Sequence, residues 1–215
     1  MINVLEVNNS IANNFLAELR DVEIQRDSMR FRKNLERLGE VMAYEISKTL
    51  SYEEQDVISP LGSAKSFILN ERIVLATIMR AGLGFHQGFL NFFDRAESAF
   101  VSAYRKHEKD GSFEIQLDYI SSPDLTDKTL ILIDPMIATG HSVALSLKGL
   151  RNKYGEPSKI HIASIISSAI GIDFLKNKLP LGTDIWTMAV DQELTAQAYI
   201  VPGLGDAGDL AYGEK

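Results

Sequence analysis

Residues 27–50 carry apolar Met29, Leu35, Leu38, Val41, Met42, Tyr44 and Ile46 at helical spacing among Arg30, Arg32, Lys33, Arg37 and Glu40. This periodicity predicts an amphipathic helix with one face in a core. Its basic cluster is interleaved with Asp27 and Glu36, so it reads as a solvated face and not as an anion site. After the turn-forming SPLG at 59–62 the pattern changes. Residues 73–79, IVLATIM, are rich in β-formers, as expected of a strand buried on both sides, and they run into Arg80-Ala81-Gly82-Leu83-Gly84. A helix-like stretch, FHQGFLNFF, leads to a second strand near 99–104. Beyond the polar RKHEKDG, Phe113, Ile115, Leu117 and Tyr119 alternate with polar residues, and this period of two predicts an exposed hairpin arm.

Further strands are predicted at 129–133, 159–167 and 184–190, with helices at 143–154, closed by Gly155 and Pro157, and near 172–178. Strands that alternate with helices imply an α/β fold, a doubly wound and mostly parallel sheet of about five strands, because parallel neighbours need crossover helices. A chain of 215 residues, 45% of them hydrophobic, can bury one substantial core, so residues 1–215 are expected to form a single domain. Its formal charge of -7 argues against a sequence-independent grip on nucleic acid, which needs a positive footprint. With no cysteine, neither a disulfide framework nor a thiolate metal site is available. The first twenty residues lack a basic start and a continuous apolar run, so a soluble, cytoplasmic protein without a membrane segment is expected.

Ligands of such sheets bind beyond the C-terminal ends of the strands. The order of elements therefore brings RAGLG, DPMIATGHS and the loop after the fifth strand to one rim. Arg80 supplies a permanent positive charge there, and Gly82 and Gly84 are expected to open the backbone to a ligand. In LILIDPMIATGHS, residues 130–142, a strand stops at Asp134 and hands over through Ala138, Thr139 and Gly140 to the amides that start a helix. Asp134 can accept hydrogen bonds from sugar hydroxyls, while Thr139, Ser142 and the amides of 138–142 can donate to phosphate, a combination suited to a ribose 5-phosphate. Neither G-x-x-x-x-G-K-[ST] nor a G-x-G-x-x-G opening a βαβ unit occurs, which counts against nucleotide hydrolysis and dinucleotide binding. His86, His107, His141 and His161 show no metal-ligand spacing and read as packed or surface imidazoles.

LILIDPMIATGHS resembles the phosphoribosyl-diphosphate motif of type I phosphoribosyltransferases, in the version with proline after the first acid that looks like the uracil phosphoribosyltransferases. YIVPGLGDAGD at 199–209 is similar to that family's uracil-binding segment, and RAGLG with Tyr104-Arg105 is similar to its diphosphate-side elements. The similarity extends to FRKNLERLGEVMAYE near the start and so over nearly the whole chain. It implies a small hood formed by the N- and C-terminal segments. It also implies transfer of the 5-phosphoribosyl group from phosphoribosyl diphosphate to uracil, giving UMP and diphosphate in pyrimidine salvage. By motif position, Arg80 and Arg105 would bind the diphosphate side, and Asp134, Pro135, Met136, Ile137, Ala138, Thr139, Gly140, His141 and Ser142 the ribose and 5-phosphate. Asp206 would sit on the same substrate through Mg²⁺. Ile200, Gly205, Asp206 and Ala207 would read uracil, largely through the main chain. Arg80, Arg105, Asp134 and Asp206 are thus the implied catalytic set, no protein ligand to the metal is directly assigned, Mg²⁺ being carried with the diphosphate near Asp206, and a homodimer or higher homo-oligomer is implied.

Four positions depart from the family pattern: His141 for a common glycine, Ser168-Ala169-Ile170-Gly171 for Ala-Pro-Glu-Gly, Asp191-Gln192-Glu193-Leu194-Thr195 for Asp-Gln-Gly-Leu-Asn, and Thr77 for proline. If residue 141 needs a positive φ, histidine carries strain there; otherwise its ring contacts the phosphate or fills space above it. These departures motivate an alternative on the same fold, a non-catalytic sensor of uracil or phosphoribosyl diphosphate, or an RNA-binding regulator.

Overall fold

The computed structural model describes residues 1–107 and 113–214, with side chains described outside 103–116. The strands are β1 (Ile2–Val4), β2 (Tyr52–Ser59), β3 (Gly62–Leu69), β4 (Ile73–Met79), β5 (Glu97–His107), β6 (Phe113–Ser121), β7 (Thr129–Ile133), β8 (Met136–Ile137), β9 (Lys159–Ser168), β10 (Asp184–Asp191), β11 (Glu193–Leu194) and β12 (Ile200–Val201). The α-helices are α1 (Ile11–Arg20), α2 (Ser28–Ser47), α3 (Gly82–Leu90), α4 (His141–Tyr154), α5 (Ala169–Lys178) and α6 (Ala207–Tyr212).

One sheet runs β1-β10-β9-β7-β4-β5-β6, with β8 also paired to β9. All its neighbours are parallel except β5 and β6. The five strands expected from the sequence are present as β4, β5, β7, β9 and β10. The sheet is larger because β1, β6 and the two-residue β8 join it; β1 and β8 are too short to show a period of their own.

The core strands β4 and β7 send alternate side chains to two layers. Leu75, Ile131 and Ile133 pack beneath α2 and α3 with Phe31, Leu35, Leu38 and Phe85. Val74, Ala76, Leu130 and Leu132 pack on the other face with Val143, Leu147 and Leu150 of α4 and Leu175 of α5. Burial on both faces is what makes β4 and β7 read as near-continuous apolar runs. Asp27 caps α2, its Oδ1 accepting from the Met29 and Arg30 amides at 3.0 Å. The basic face of that helix is internally engaged: Arg30 forms a bidentate pair with Glu18 at 2.7 and 2.8 Å, Arg32 donates to the Ala211 carbonyl at 2.7 Å, and Lys33 lies 3.0 Å from Glu36.

The alternating segment near 113–119 does form a hairpin strand, but it is not a free arm. β6 pairs with β5 as the sheet's edge, and Leu117 and Ile120 lean on the α4 layer. The freely projecting hairpin is β2–β3, closed at the SPLG turn, with Ile58, Leu61 and Phe67 exposed. Its strands alternate weakly because neither face is buried, so the pattern gives little to read there.

The strand order carries the functional geometry. From β4 the chain moves to β5 on one side; from β7 it proceeds to β9 and β10 on the other. The direction of winding therefore reverses between β4 and β7. A crevice opens at the C-terminal ends of strands at such a switch point, and the loops leaving β4 and β7 are RAGLG and DPMIATGHS.

Candidate active site

The loop after β7 is tied down by backbone bonds. The Pro135 carbonyl accepts from the amides of Ile165 and Ile166, both at 3.0 Å, and from the Ser164 hydroxyl at 3.2 Å. Met136 and Ile137 then pair with β9 opposite Ile166 and Ser167. Pro135 and Ile137 are accordingly buried and anchor the loop, while Met136, Ala138, Thr139 and Ser142 stay partly accessible. Gly140 precedes α4 with φ 80°, and a Cβ there would come within 2.9 Å of Leu175 Cγ and 3.0 Å of the Gly171 carbonyl. Only glycine meets both demands without strain. The first amides of the fourteen-residue α4 have no intrahelical acceptor and lie at the positive end of its dipole, an arrangement suited to an anion.

Asp134 sits at the mouth of this loop. Among the described residues the hydrogen bond it receives is from the Met136 amide at 3.2 Å, and no cation faces it. Burial raises its pKa to about 7, against the smaller opposing effect of that amide. A carboxyl so poised can accept from ligand hydroxyls once ionised, and a nearby cation would favour that form.

Arg80 leaves β4 with its side chain 34% exposed. Its Nη2 donates to Asp209 Oδ1 and to the Gly213 carbonyl, both at 3.0 Å, while its buried Nε has no partner among the described residues. An unsatisfied, inward-held guanidinium nitrogen is costly unless something accepts from it. The glycines beside it also have a packing role. The space a Cβ of Gly82 would take is 2.2 Å from Thr77 Oγ1, and that of Gly84 faces the Arg32 carbonyl and Leu35 of α2 at 3.4 Å. They permit close packing within the protein, and Gly84 stays partly accessible.

The tail completes the rim. Ile200 is buried, Gly205 and Asp206 are exposed, and Ala207 is buried. Asp206 caps α6, its Oδ1 accepting from Gly208 and Asp209 amides at 2.8 and 3.1 Å, which leaves Oδ2 without a hydrogen bond among the described residues. A cavity of about 140 Å³ lies between the three loops. Its walls include Ala81 after β4, Met136 and Ala138 after β7, and Ile200, Gly205 and Asp206 of the tail. Of the residues assigned from the sequence, Met136, Ala138, Ile200, Gly205, Asp206 and Ala207 line this cavity, while Arg80, Asp134, Thr139, His141 and Ser142 do not. Arg105 lies in β5, among the residues whose side chains are not described.

The four departures are accommodated. His141 does not have a positive φ; that conformation belongs to Gly140. The imidazole stacks on Phe174 at 4.1 Å between ring centres, with Nδ1 3.1 Å from Thr139 Oγ1, and so fills space beside the loop. Ser168 caps α5 by accepting from the Gly171 amide at 2.8 Å and donates to the Ala138 carbonyl. Thr195 Oγ1 accepts from the Tyr199 amide at 3.1 Å and closes the β11–β12 turn. Thr77 is buried against Gly82. Of the other histidines, His86 and His161 are buried, and desolvation lowers both to pKa about 4. His107 falls among the residues whose side chains are not described.

Sequence reasoning did not select Asp209, Ser168, or the pair formed by Arg20 and Asp191. Asp209 repeats the acid–glycine texture of the tail and could have been flagged by its spacing from Asp206. Arg20 and Asp191 are 171 residues apart, and nothing local joins them.

The sequence pattern of the uracil phosphoribosyltransferase family matches residues 6–214. The chain is 54% identical over 211 residues to the uracil phosphoribosyltransferase of Porphyromonas gingivalis, covering 98% of this chain and 97% of that one. It is 40% identical over 202 residues to the uracil phosphoribosyltransferase of Pyrococcus furiosus, covering 93% of this chain and 84% of that one. A solved structure of the AQ2163 protein from Aquifex aeolicus superposes with a TM-score of 0.87 at 30% identity, over 99% of this chain and 98% of that one. Near-complete coverage at these identities joins the geometry of the rim to a lineage: this chain belongs to the uracil phosphoribosyltransferase family.

Proposed function

We propose that this chain, acting as one phosphoribosyltransferase domain, transfers the 5-phosphoribosyl group of phosphoribosyl diphosphate to uracil and releases UMP and diphosphate. The observation that carries the reading is one small cavity at the sheet's switch point, walled by the loops after β4 and β7 and by the glycine-rich tail. The names of the relatives support the same reaction.

In this reading the amides of 138–142, with Thr139 and Ser142, hold the 5-phosphate, and Asp134 accepts from the ribose hydroxyls. Arg80, after exchanging Asp209 for substrate, and Arg105 stabilise the negative charge that accumulates on the leaving diphosphate. Substitution at the anomeric carbon passes through an oxocarbenium-like transition state and needs no enzyme nucleophile. The contribution of the tail is to hold the base N1 opposite the leaving group. Uracil offers an N3-H donor between two carbonyl acceptors, and main-chain groups near Ile200 and 205–207 supply the complement. A buried mismatch costs about 1 to 3 kcal/mol per unsatisfied group, enough to disfavour cytosine.

Among the described residues no cluster of three or more metal-ligating side chains occurs. A divalent ion held mainly by substrate oxygens fits this donor set, because Mg²⁺ typically takes one or two carboxylates and completes its shell with phosphate and water. The free Oδ2 of Asp206 and the carboxyl of Asp134 are the residues that would hold it. Bound there, Mg²⁺ would neutralise charge on the diphosphate. The exposed β2–β3 hairpin, with Ile58, Leu61 and Phe67 facing outward, supports assembly into a homodimer or higher homo-oligomer. No helix among the described residues is long and apolar enough to cross a membrane, and a cytoplasmic location accords with salvage of a free base. The regulator alternative has no support among the named relatives, which are uracil phosphoribosyltransferases.

The test is UMP formation from uracil and phosphoribosyl diphosphate, with cytosine, hypoxanthine and orotate as competitors, with and without Mg²⁺. Mg²⁺-dependent turnover of uracil is expected. Absence of turnover with every base removes the reading.

A further inference from the structure

Behind the tail lies an ion pair that touches no part of the cavity wall. Arg20, the last residue of α1, donates through Nη1 and Nη2 to both carboxylate oxygens of Asp191, at 2.7 and 2.8 Å. The same Nη1 donates to the carbonyl of Gly203 at 2.9 Å, and the Gly203 amide donates to Asp191 Oδ2 at 2.8 Å. Both polar edges of residue 203 are therefore held by the two members of one pair. The side chains are 23% and 8% exposed, so little water competes for these bonds.

The residue so held is a tight point of the chain. Gly203 has φ 58°, and a Cβ there would lie 2.2 Å from the Ile200 carbonyl oxygen. On one side of it is Ile200 and on the other Gly205 and Asp206, all of which line the cavity. A shift of Gly203 therefore moves both walls of the base pocket. Asp191 ends β10 and is fixed by the sheet opposite Ser168. Arg20 is fixed from the other direction, since Leu16 and Leu19 bury α1 in the core and a cation suits a helix C-terminus.

We infer that Arg20 is a positioning residue for the base-binding loop: its fork bridges the end of β10 and the Gly203 carbonyl and so sets the distance between Ile200 and Gly205. A well-buried ion pair adds little net stability over apolar packing, because desolvation offsets much of its attraction. What this pair supplies is geometry at one peptide. Burial works against the Asp191 charge, yet the Arg20 and Gly203 hydrogen bonds keep its carboxyl below the usual range, so the pair stays ionised near neutrality. Lysine cannot replace the function, being a single point of charge without the planar fork.

The inference rests on the reaction proposed above, and one experiment separates the two. Wild-type UMP formation tests the reaction; Arg20→Lys and Arg20→Ala, each compared with wild type, test the clamp. Arg20→Lys keeps the charge and is expected to melt close to wild type. The KM for uracil should rise about tenfold, while the KM for phosphoribosyl diphosphate changes less than about twofold, the pattern of a displaced base loop beside an intact phosphate loop. Arg20→Ala should give the same split, more strongly. A purely structural role lowers the melting temperature without separating the two constants. Wild-type uracil KM in Arg20→Lys, or parallel loss for both substrates, overturns the assignment.

Discussion

The two halves of the cleft are held by different means. The phosphate half, residues 134–142, remains within the sheet: it leaves β7, is bonded through the Pro135 carbonyl and re-pairs with β9 as β8. The base half, residues 192–209, has left the main sheet; beyond its short β11–β12 ladder it is held by side chains, with Arg20 and Asp191 at Gly203, Thr195 in the β11–β12 turn and Asp206 at the start of α6. Main-chain bonds do not depend on the identity of the side chain that carries them. The phosphate half should therefore tolerate substitution of its anchors and fail at its contact groups, whereas the base half should fail at residues that never meet the ligand.

The largest expected effect is at Asp134 of the phosphate half and at the arginines assigned to the diphosphate beside it. Arg80→Ala and Asp134→Asn should each lower kcat by about 10²- to 10³-fold, as removal of a group that stabilises developing charge does, and Arg105→Ala should follow by its motif position. Melting temperatures should stay near wild type, because these side chains sit on a rim; near-normal turnover in Arg80→Ala and Asp134→Asn would remove the site assignment. Next in size is Gly140→Ala, which imposes a positive φ on a side chain and presses it against Leu175 and the Gly171 carbonyl. A loss of about 1 to 3 kcal/mol is expected in denaturant midpoints, accompanied by a raised KM for phosphoribosyl diphosphate.

A smaller effect follows from pH. Asp134 is raised from 3.8 to about 7, so between these values the folded state binds a proton that the unfolded chain does not. The stability it contributes is fully present below pH 4 and is lost as pH rises through about 7. Binding has the opposite sense: as pH falls from 8 to 6 the ionised acceptor is lost and KM for phosphoribosyl diphosphate should rise. Asp134→Asn should flatten both trends, which thermal melts and initial rates across this range would check. The smallest effect is expected from Ser168→Ala, which removes the α5 cap and the bond to the Ala138 carbonyl. About 1 kcal/mol of stability should go, with uracil KM unchanged, because the ladder to β9 still holds the loop. A marked change in uracil KM in that variant would blur the distinction between the halves.

Legibility in the sequence follows the same division. β4, β7, β9 and β10 were readable because two-sided burial writes long apolar runs, and α4 because Gly155 and Pro157 mark its end. DPMIATGHS and the tail were readable because their unusual residues stand close together in the chain. The β2–β3 hairpin was not, since exposure on both faces leaves no period of two. The packing role of the RAGLG glycines was not legible for a related reason: a missing Cβ looks the same in sequence whether a ligand or Thr77 and Leu35 takes the space.

The sequence by itself determined the fold class and the three segments of the rim, since each rests on residues within a few positions of one another. Only the tertiary structure decided that Gly140 and not His141 takes the left-handed turn, that Arg80 donates to Asp209, and that Arg20 reaches Gly203 across the molecule. Those outcomes depend on which surfaces meet when the layers close. No local pattern encodes that meeting, because the two partners are written far apart and become neighbours only through the sheet between them.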